Sequence, residues 1–339
     1  MAVINQLSLS LADAAKRTDP TGKISKIIEM ESERNEWVQD VMTMQCNDGT
    51  SHLTTVRTGI PQATWRMLNA GVQPTRSHTA QVRDTTGMLE TYSEVDCTLA
   101  EMSGDARAFR LSEAGAFIEG MSQQVTQTFF YGNTQVNPER FLGLAPRFST
   151  IQTAVADSAA NVVDGGGDGS TNSSLWFVTW GDDTVHMIHP RGTAAGLQHR
   201  DLGEDTKVNA DGTQYQIFRD HFCWKLGLTV RDWRYVVRLA NLESGAAEVD
   251  RIDASTTTLS NFIFRMIEAH ERMYNQRGGG RTVIYCNRYV RMALRKAIHE
   301  KISGSTLQMS MVGGQEVLTF MGMPVRLVDQ LLRTEARVT

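Results

Sequence analysis

The stretch from residue 41 to residue 100 does most to limit what this chain can fold into. Short alternating segments of β type, Thr54-Thr55-Val56-Arg57 and Thr79-Ala80-Gln81-Val82-Arg83, are separated by Asn47-Asp48-Gly49, Gly59-Ile60-Pro61, Gly71, Pro74 and Gly87. Those separators are turn formers. Polar residues flank most of the strands on both sides. A hairpin without an apolar face to lay on its own domain is exposed or packs on another chain. Trp65, Met67 and Leu68 lie in its middle, and leaving such side chains in water forgoes roughly 1.5–3 kcal/mol each. The stretch therefore reads as a long hairpin made for contact with a neighbour, with Gly59, Gly71 and Gly87 as bending points. Deleting residues 45–95 is expected to leave a soluble folded monomer that cannot assemble.

The segments around it are of ordinary kinds. Residues 1–40 read as an arm: Leu7, Leu9 and Leu11 stand among small polar residues, Asp19-Pro20-Thr21-Gly22 is a turn, and little else is apolar. From Arg110 to Tyr131 the residues Leu111, Ala114, Ile118, Met121, Val125 and Phe129 recur at steps of three and four, which predicts a long helix with one apolar stripe. Glu113 is placed in its first turn, Gly132-Asn133 supplies the stop, and residues 133–147 follow as an extended loop.

Residues 148–255 are strand-rich, with β-branched and aromatic residues over Leu175–Trp180, Thr184–His189, Gln214–Phe218 and Phe222–Leu239. Asp164–Ser174 reads as a flexible loop on composition. Helices are predicted over Thr256–Gln276 and after Asn287, with strand Arg281–Cys286 between them. Two short strands, Glu316–Phe320 and Met323–Asp329, joined at Gly322, close the chain. The class is α+β.

Composition excludes more than it selects. Among 339 residues, 41% are apolar and 21% charged, the balance of a soluble globular chain. No apolar run is long enough to span a membrane, and no signal peptide starts the chain, so synthesis in the cytoplasm is expected. A net charge of −4 speaks against wrapping nucleic acid but suits a wall that only encloses it. Cys46, Cys97, Cys223 and Cys286 stand singly, which gives neither a disulfide framework nor a zinc motif. Between Lys26 and Lys207 every basic residue is arginine, the cation best suited to interfaces.

No catalytic, cofactor or metal site is read. The glycine-rich segment at Asp164 lacks the Lys-Ser/Thr of a phosphate loop. His186 and His189, three apart on a strand, point to opposite faces. His270-Glu271 lacks the second histidine of a zinc protease, Cys223 and His221 are strand-spaced, and Gly-x-Ser-x-Gly is absent.

The order of elements resembles the Hong Kong 97-like capsid fold of tailed phages. The carrying residues are the helix end Phe129-Phe130-Tyr131-Gly132-Asn133, then Pro138 and Phe141-Leu142-Gly143-Leu144. In more detail the chain is similar to major capsid proteins of short-tailed, epsilon-15-like phages, through Arg57-Thr58-Gly59-Ile60-Pro61, Ile188-His189-Pro190-Arg191-Gly192 and Gly196-Leu197. The resemblance implies an N-terminal arm (1–40), an extended E-loop hairpin (41–100), a peripheral domain with a spine helix (101–146), an axial domain (147–315) and C-terminal strands that return to or flank the peripheral domain (316–339).

It implies a structural, non-enzymatic protein of the virion. That protein would assemble with itself into hexamers and pentamers of an icosahedral head around double-stranded DNA, without sequence-specific binding. Scaffold, portal and a cement or decoration protein are the further partners implied. The hairpin has no lysine, so the lysine–asparagine cross-link of some family members should be absent. Contact residues are expected at Arg57, Trp65, Arg66 and Arg83. The alternatives are an encapsulin-like nanocompartment shell and, from a different class, a hydrolase.

Overall fold

The computed structural model describes residues 35–102, 104–244, 251–274, 280–300, 306–312 and 315–339. Most of the expected arm, residues 1–34, lies outside the described residues. The elements in chain order are β1 (Thr43–Gln45), β2 (Ser51–Gly59), β3 (His78–Asp96), α1 (Cys97–Met102), α2 (Ala106–Tyr131), β4 (Val162–Asp164), β5 (Asn172–Trp180), β6 (Val185–His189) and β7 (Leu197–Val208). They continue with β8 (Gln214–Val230), β9 (Val236–Glu243), α3 (Thr256–Arg272), β10 (Arg281–Cys286), α4 (Arg288–His299), β11 (Leu307–Val312), β12 (Gln315–Phe320) and β13 (Met323–Leu327).

β5 is the centre of the molecule, and all nine of its residues are buried. β9 and β10 pair antiparallel along its two edges. β4 extends the sheet beyond β9, and β13, β12 and β11 extend it beyond β10. Strand alternation sends Leu175 and Phe177 to one face and Trp176, Val178 and Trp180 to the other. The first face packs on Phe262, Ile263 and Met266 of α3 and Val290 and Leu294 of α4. The second packs on Trp37, on Val125, Phe129 and Phe130 at the end of α2, and on Phe148. Helices cover one face of the sheet; the end of α2, Trp37 and the C-terminal residues Leu331 and Val338 cover the other.

A second group of strands carries the hairpin. β8 lies antiparallel between β7 and the second half of β3, Thr86–Asp96. β6 joins this group to the centre, since Val185–Ile188 pairs with Gly227–Val230 and Trp180 meets Val185. β8, which the linear partition puts inside residues 147–315, thus pairs with the hairpin strand, and β7 joins the same group through β8. The deletion of residues 45–95 must be revised for the same reason. It would strip an edge strand from β8 and remove buried Val95, so it would not leave a folded subunit.

Local differences from the sequence reading have physical causes. α2 starts four residues before Arg110 because the Asp105 side chain accepts from the Ala108 amide at 3.0 Å. Glu113 therefore lies beyond the first turn. Phe222–Leu239 is not one strand: Asp232 accepts from the Arg234 amide at 3.0 Å and turns the chain between β8 and β9. Asp164–Ser174 is not a free loop. The amides of Gly165 and Gly167 bond the carbonyls of Ala240 and Asn241, both at 2.8 Å, and a Cβ at either glycine would fall within 2.7 Å of β9 backbone oxygens. Its glycines serve close approach, not mobility. Gly87, read as a bending point, is paired with Leu226 in mid-strand.

The segment after α2 explains its own composition. The amide of Gly143 donates to Gly132 at 2.8 Å and that of Leu144 to Phe129 at 3.0 Å, so the chain doubles back over the helix end and buries Phe141 and Leu144. A Cβ at Gly143 would lie 2.6–2.8 Å from three backbone atoms of the helix end. Gly143→Ala is expected to destabilise the subunit by about 1–3 kcal/mol, as overpacking does, measurable as a lowered urea midpoint at unchanged slope.

Candidate assembly surface

The hairpin leaves the body as a two-stranded ribbon. Ser51–Arg57 pairs residue by residue with Thr79–Thr85, and a bulge precedes the Gly59–His78 pair. Its root is laced to the body. Asn47 exchanges both side-chain hydrogen bonds with the backbone of Leu53 at 2.8 Å, and Arg147 donates to buried Asp84 at 2.7 Å. Ser51, His52 and Thr54 are buried there. Past Thr55 the ribbon has no body beneath it.

Residues 60–77 form the connecting loop. Ile60, Met67 and Leu68 are exposed, and Trp65 is 102% exposed, with no surface of its own chain against it. The described hydrogen bonds inside the loop are Ala70 to Met67 at 3.1 Å and Thr75 to Gln62 at 3.5 Å. A contiguous run of large apolar side chains in this condition marks a contact surface.

The four residues chosen from sequence fall in two places. Trp65 and Arg66 are neighbours in the loop, and Arg57 lies on the strand leading into it; all three are exposed. Neither Arg57 nor Arg66 forms an ion pair among the described residues. Arg83 is at the root, 3.2 Å from Asp48, and so is engaged by its own chain.

The apolar stripe predicted for α2 is buried over only part of its length. Of the helical stripe, Met121, Val125 and Phe129 are buried, but Leu111 is 74% and Ile118 43% exposed. Periodicity reports which residues share a face, not which molecule covers them. The same half of α2 is fixed to β7 and β8 by Arg110, which reaches Asp201 at 2.7 Å and Asp220 at 2.8 Å. Across the sheet, burial works to raise Glu94, but hydrogen bonds from Lys207 and Arg219 outweigh it and hold the carboxyl below its ordinary value.

Burial and Glu90 push the Cys223 thiol up to about 11, and burial pushes Cys286 up to about 12, so neither is a thiolate near neutrality. Among the described residues no three His, Cys, Asp or Glu side chains converge to hold a metal ion. No helix among them is long and apolar enough to cross a membrane.

A body with a complete core of its own, bearing a bare ribbon, a bare apolar loop and a half-bare helix, is built as a structural subunit that meets copies of itself. The chain matches the family Major capsid protein GP7 over residues 19–339, and it belongs to that family. It is similar to the solved capsid chain of bacteriophage Epsilon15, with 34% identity, a TM-score of 0.77 and 100% of each chain covered. Two further capsids resemble it at lower scores. That of a native GTA particle has 12% identity and a TM-score of 0.45, covering 69% of this chain and 99% of that one. That of bacteriophage JBD30 has 10% identity and a TM-score of 0.45, covering 89% and 92%. No curated protein matches. The fold is the Hong Kong 97-like α+β fold, and the protein forms the icosahedral capsid shell of a phage virion. Neither the nanocompartment nor the hydrolase reading is favoured.

Proposed function

We propose that the ribbon and its loop reach onto adjacent subunits and bury Trp65, Met67 and Leu68 there, locking hexamers and pentamers of this chain into a closed head around double-stranded DNA. In this reading residues 1–40 are the N-terminal arm, 41–100 the E-loop, 101–146 the peripheral domain with α2 as spine helix, 147–315 the axial domain and 316–339 the C-terminal strands. β7 and β8 then serve the peripheral side although they lie within 147–315. Arg57 and Arg66 provide forked donors at the contact, and Arg83 braces the ribbon root. The role is architectural and non-catalytic, in a protein made in the host cytoplasm. Scaffold, portal and a cement protein are the partners such a shell would take.

One observation carries the reading: among the described residues the four most exposed large apolar side chains, Trp65, Leu68, Ile60 and Met67, all stand on the loop at the end of the ribbon. Closed symmetry repeats each contact around the shell, so small losses multiply. Trp65→Ala with Leu68→Ala removes about 3–6 kcal/mol per contact if both are buried there, enough to raise the assembly threshold at least about a hundredfold. Sedimentation should show free subunits with unchanged melting. Shells forming at the wild-type concentration would sink the proposal.

A further inference from the structure

The root of the ribbon holds a polar cluster that assembly contacts do not explain. His52 of β2 and His186 of β6 are buried, and their rings meet edge to face at 5.4 Å. Neither ring nitrogen of His52 has a partner in the protein, nor has Nε2 of His186; Thr54 Oγ1, Thr229 Oγ1 and Asp84 Oδ2 are also buried without one. His186 Nδ1 faces the Gly181 carbonyl at 3.4 Å. Strand register fixes the arrangement, since His52 is directly opposite Asp84 and His186 is directly opposite Thr229. The pair thus joins the first strand of the ribbon to the strand that links the two sheet groups.

We infer that His52 and His186 form an acid-sensitive latch, which holds the root of the ribbon against the body when both rings are neutral and releases it when they take up protons. The charges around the pair favour this sign. The charge of Arg231 disfavours a proton on either ring, and a charged His52 disfavours a proton on His186. Arg231 is held in place by the Asp182 carbonyl and Asp183 at 2.9 and 3.1 Å. Asp84 acts in the opposite sense on His52, and the Gly181 carbonyl and then Asp182 do so on His186, but Asp84 is already engaged by Arg147 at 2.7 Å. Burial is the largest influence on both rings and also lowers their proton affinity.

The sign follows directly. A released, hydrated imidazole titrates near its ordinary value of 6.5, whereas the latched rings stay neutral to lower pH. Latching is therefore complete above about 6.5 and is lost as the pH falls below it. Each ring that must stay neutral makes opening about tenfold more favourable on going from pH 7.5 to 5.5. Release sets the ribbon free to change its angle to the body, whatever surface the loop 60–77 meets.

Hydrogen exchange in assembled shells tests this, after correction for the intrinsic pH dependence of amide exchange. Protection at residues 51–56 and 82–86 should fall about tenfold or more between pH 7.5 and 5.5, while β5 and β10 keep theirs. His52→Phe, which leaves an apolar ring of similar shape, should remove most of that fall. Unchanged protection at the root in the wild type would overturn the latch. So would an equal loss in β5 and β10, or a fall in His52→Phe as large as the wild type's. Should His52→Phe fail to fold, the wild-type profile alone decides.

Discussion

Excising residues 60–77 and joining Gly59 to His78 through Asn-Gly gives a subunit that melts like the wild type and forms no closed shells. Gly59 and His78 already face each other in the ribbon register, and Asn-Gly is the two-residue turn that suits a right-twisted hairpin. The cut removes Ile60, Trp65, Met67 and Leu68, which are exposed in the subunit, so folding loses almost no burial. Assembly loses every contact the loop makes. The loss is repeated at each copy, and the expected effect is all or none rather than graded. Far-ultraviolet circular dichroism reads the first half and negative-stain microscopy the second. Normal shells from the shortened chain would show that the loop does not hold the capsid together, and a melting point lowered by many degrees would show that the loop has a place on its own body.

What the sequence disclosed depended on where each side chain found its partner. β10 was read with its exact bounds, Arg281–Cys286, because it is short, apolar and held between an Asn-capped helix and glycines. The core of α3 was legible from its spacing, and Ser255 with Thr258 forms the capping box that starts it. β7 was missed. Its sequence, Leu197 to Val208, is almost wholly polar, and only its register against β8 makes it a strand. The exposed stripe at Leu111 and Ile118 could not be told from core, since a helix buried by a neighbour has the same periodicity as one buried by its own sheet. The His52–His186 latch was invisible for another reason. The two residues are 134 positions apart, and only the return of β6 beside the ribbon root brings them together.

Glu335→Ala should lower subunit stability by about 3–5 kcal/mol, the usual cost of leaving one member of a buried ion pair alone. The carboxylate and Arg238 are each only 5% exposed and lie 2.8 Å apart. Tyr131 at the end of α2 donates to the other carboxylate oxygen at 2.5 Å, and Ser174 of β5 donates to the same oxygen as Arg238. Arg238 also donates to the Phe148 carbonyl at 2.8 Å. One carboxylate thus ties the last residues of the chain to α2, β5 and β9 at once. Replacing both ends, Arg238→Met with Glu335→Leu, should cost less than Glu335→Ala alone, because no charge is then left buried. Tyr131→Phe should cost about 2 kcal/mol, because the hydroxyl both donates to Glu335 and accepts from the Leu332 amide at 3.0 Å, and two hydrogen bonds are lost together.

The network also sets an alkaline limit. Burial, and then the charge of Glu335, push the Tyr131 hydroxyl well above its ordinary value of 10. The folded chain keeps that proton after the unfolded chain has lost it, so stability declines as the pH rises past about 10, and Tyr131→Phe should flatten part of that decline. Urea unfolding of the four proteins at pH 7 and pH 10.5 measures both effects. A Glu335→Ala cost below about 1 kcal/mol, the range of an exposed pair, would mean that water reaches Arg238 and that the tail is not clamped by this carboxylate.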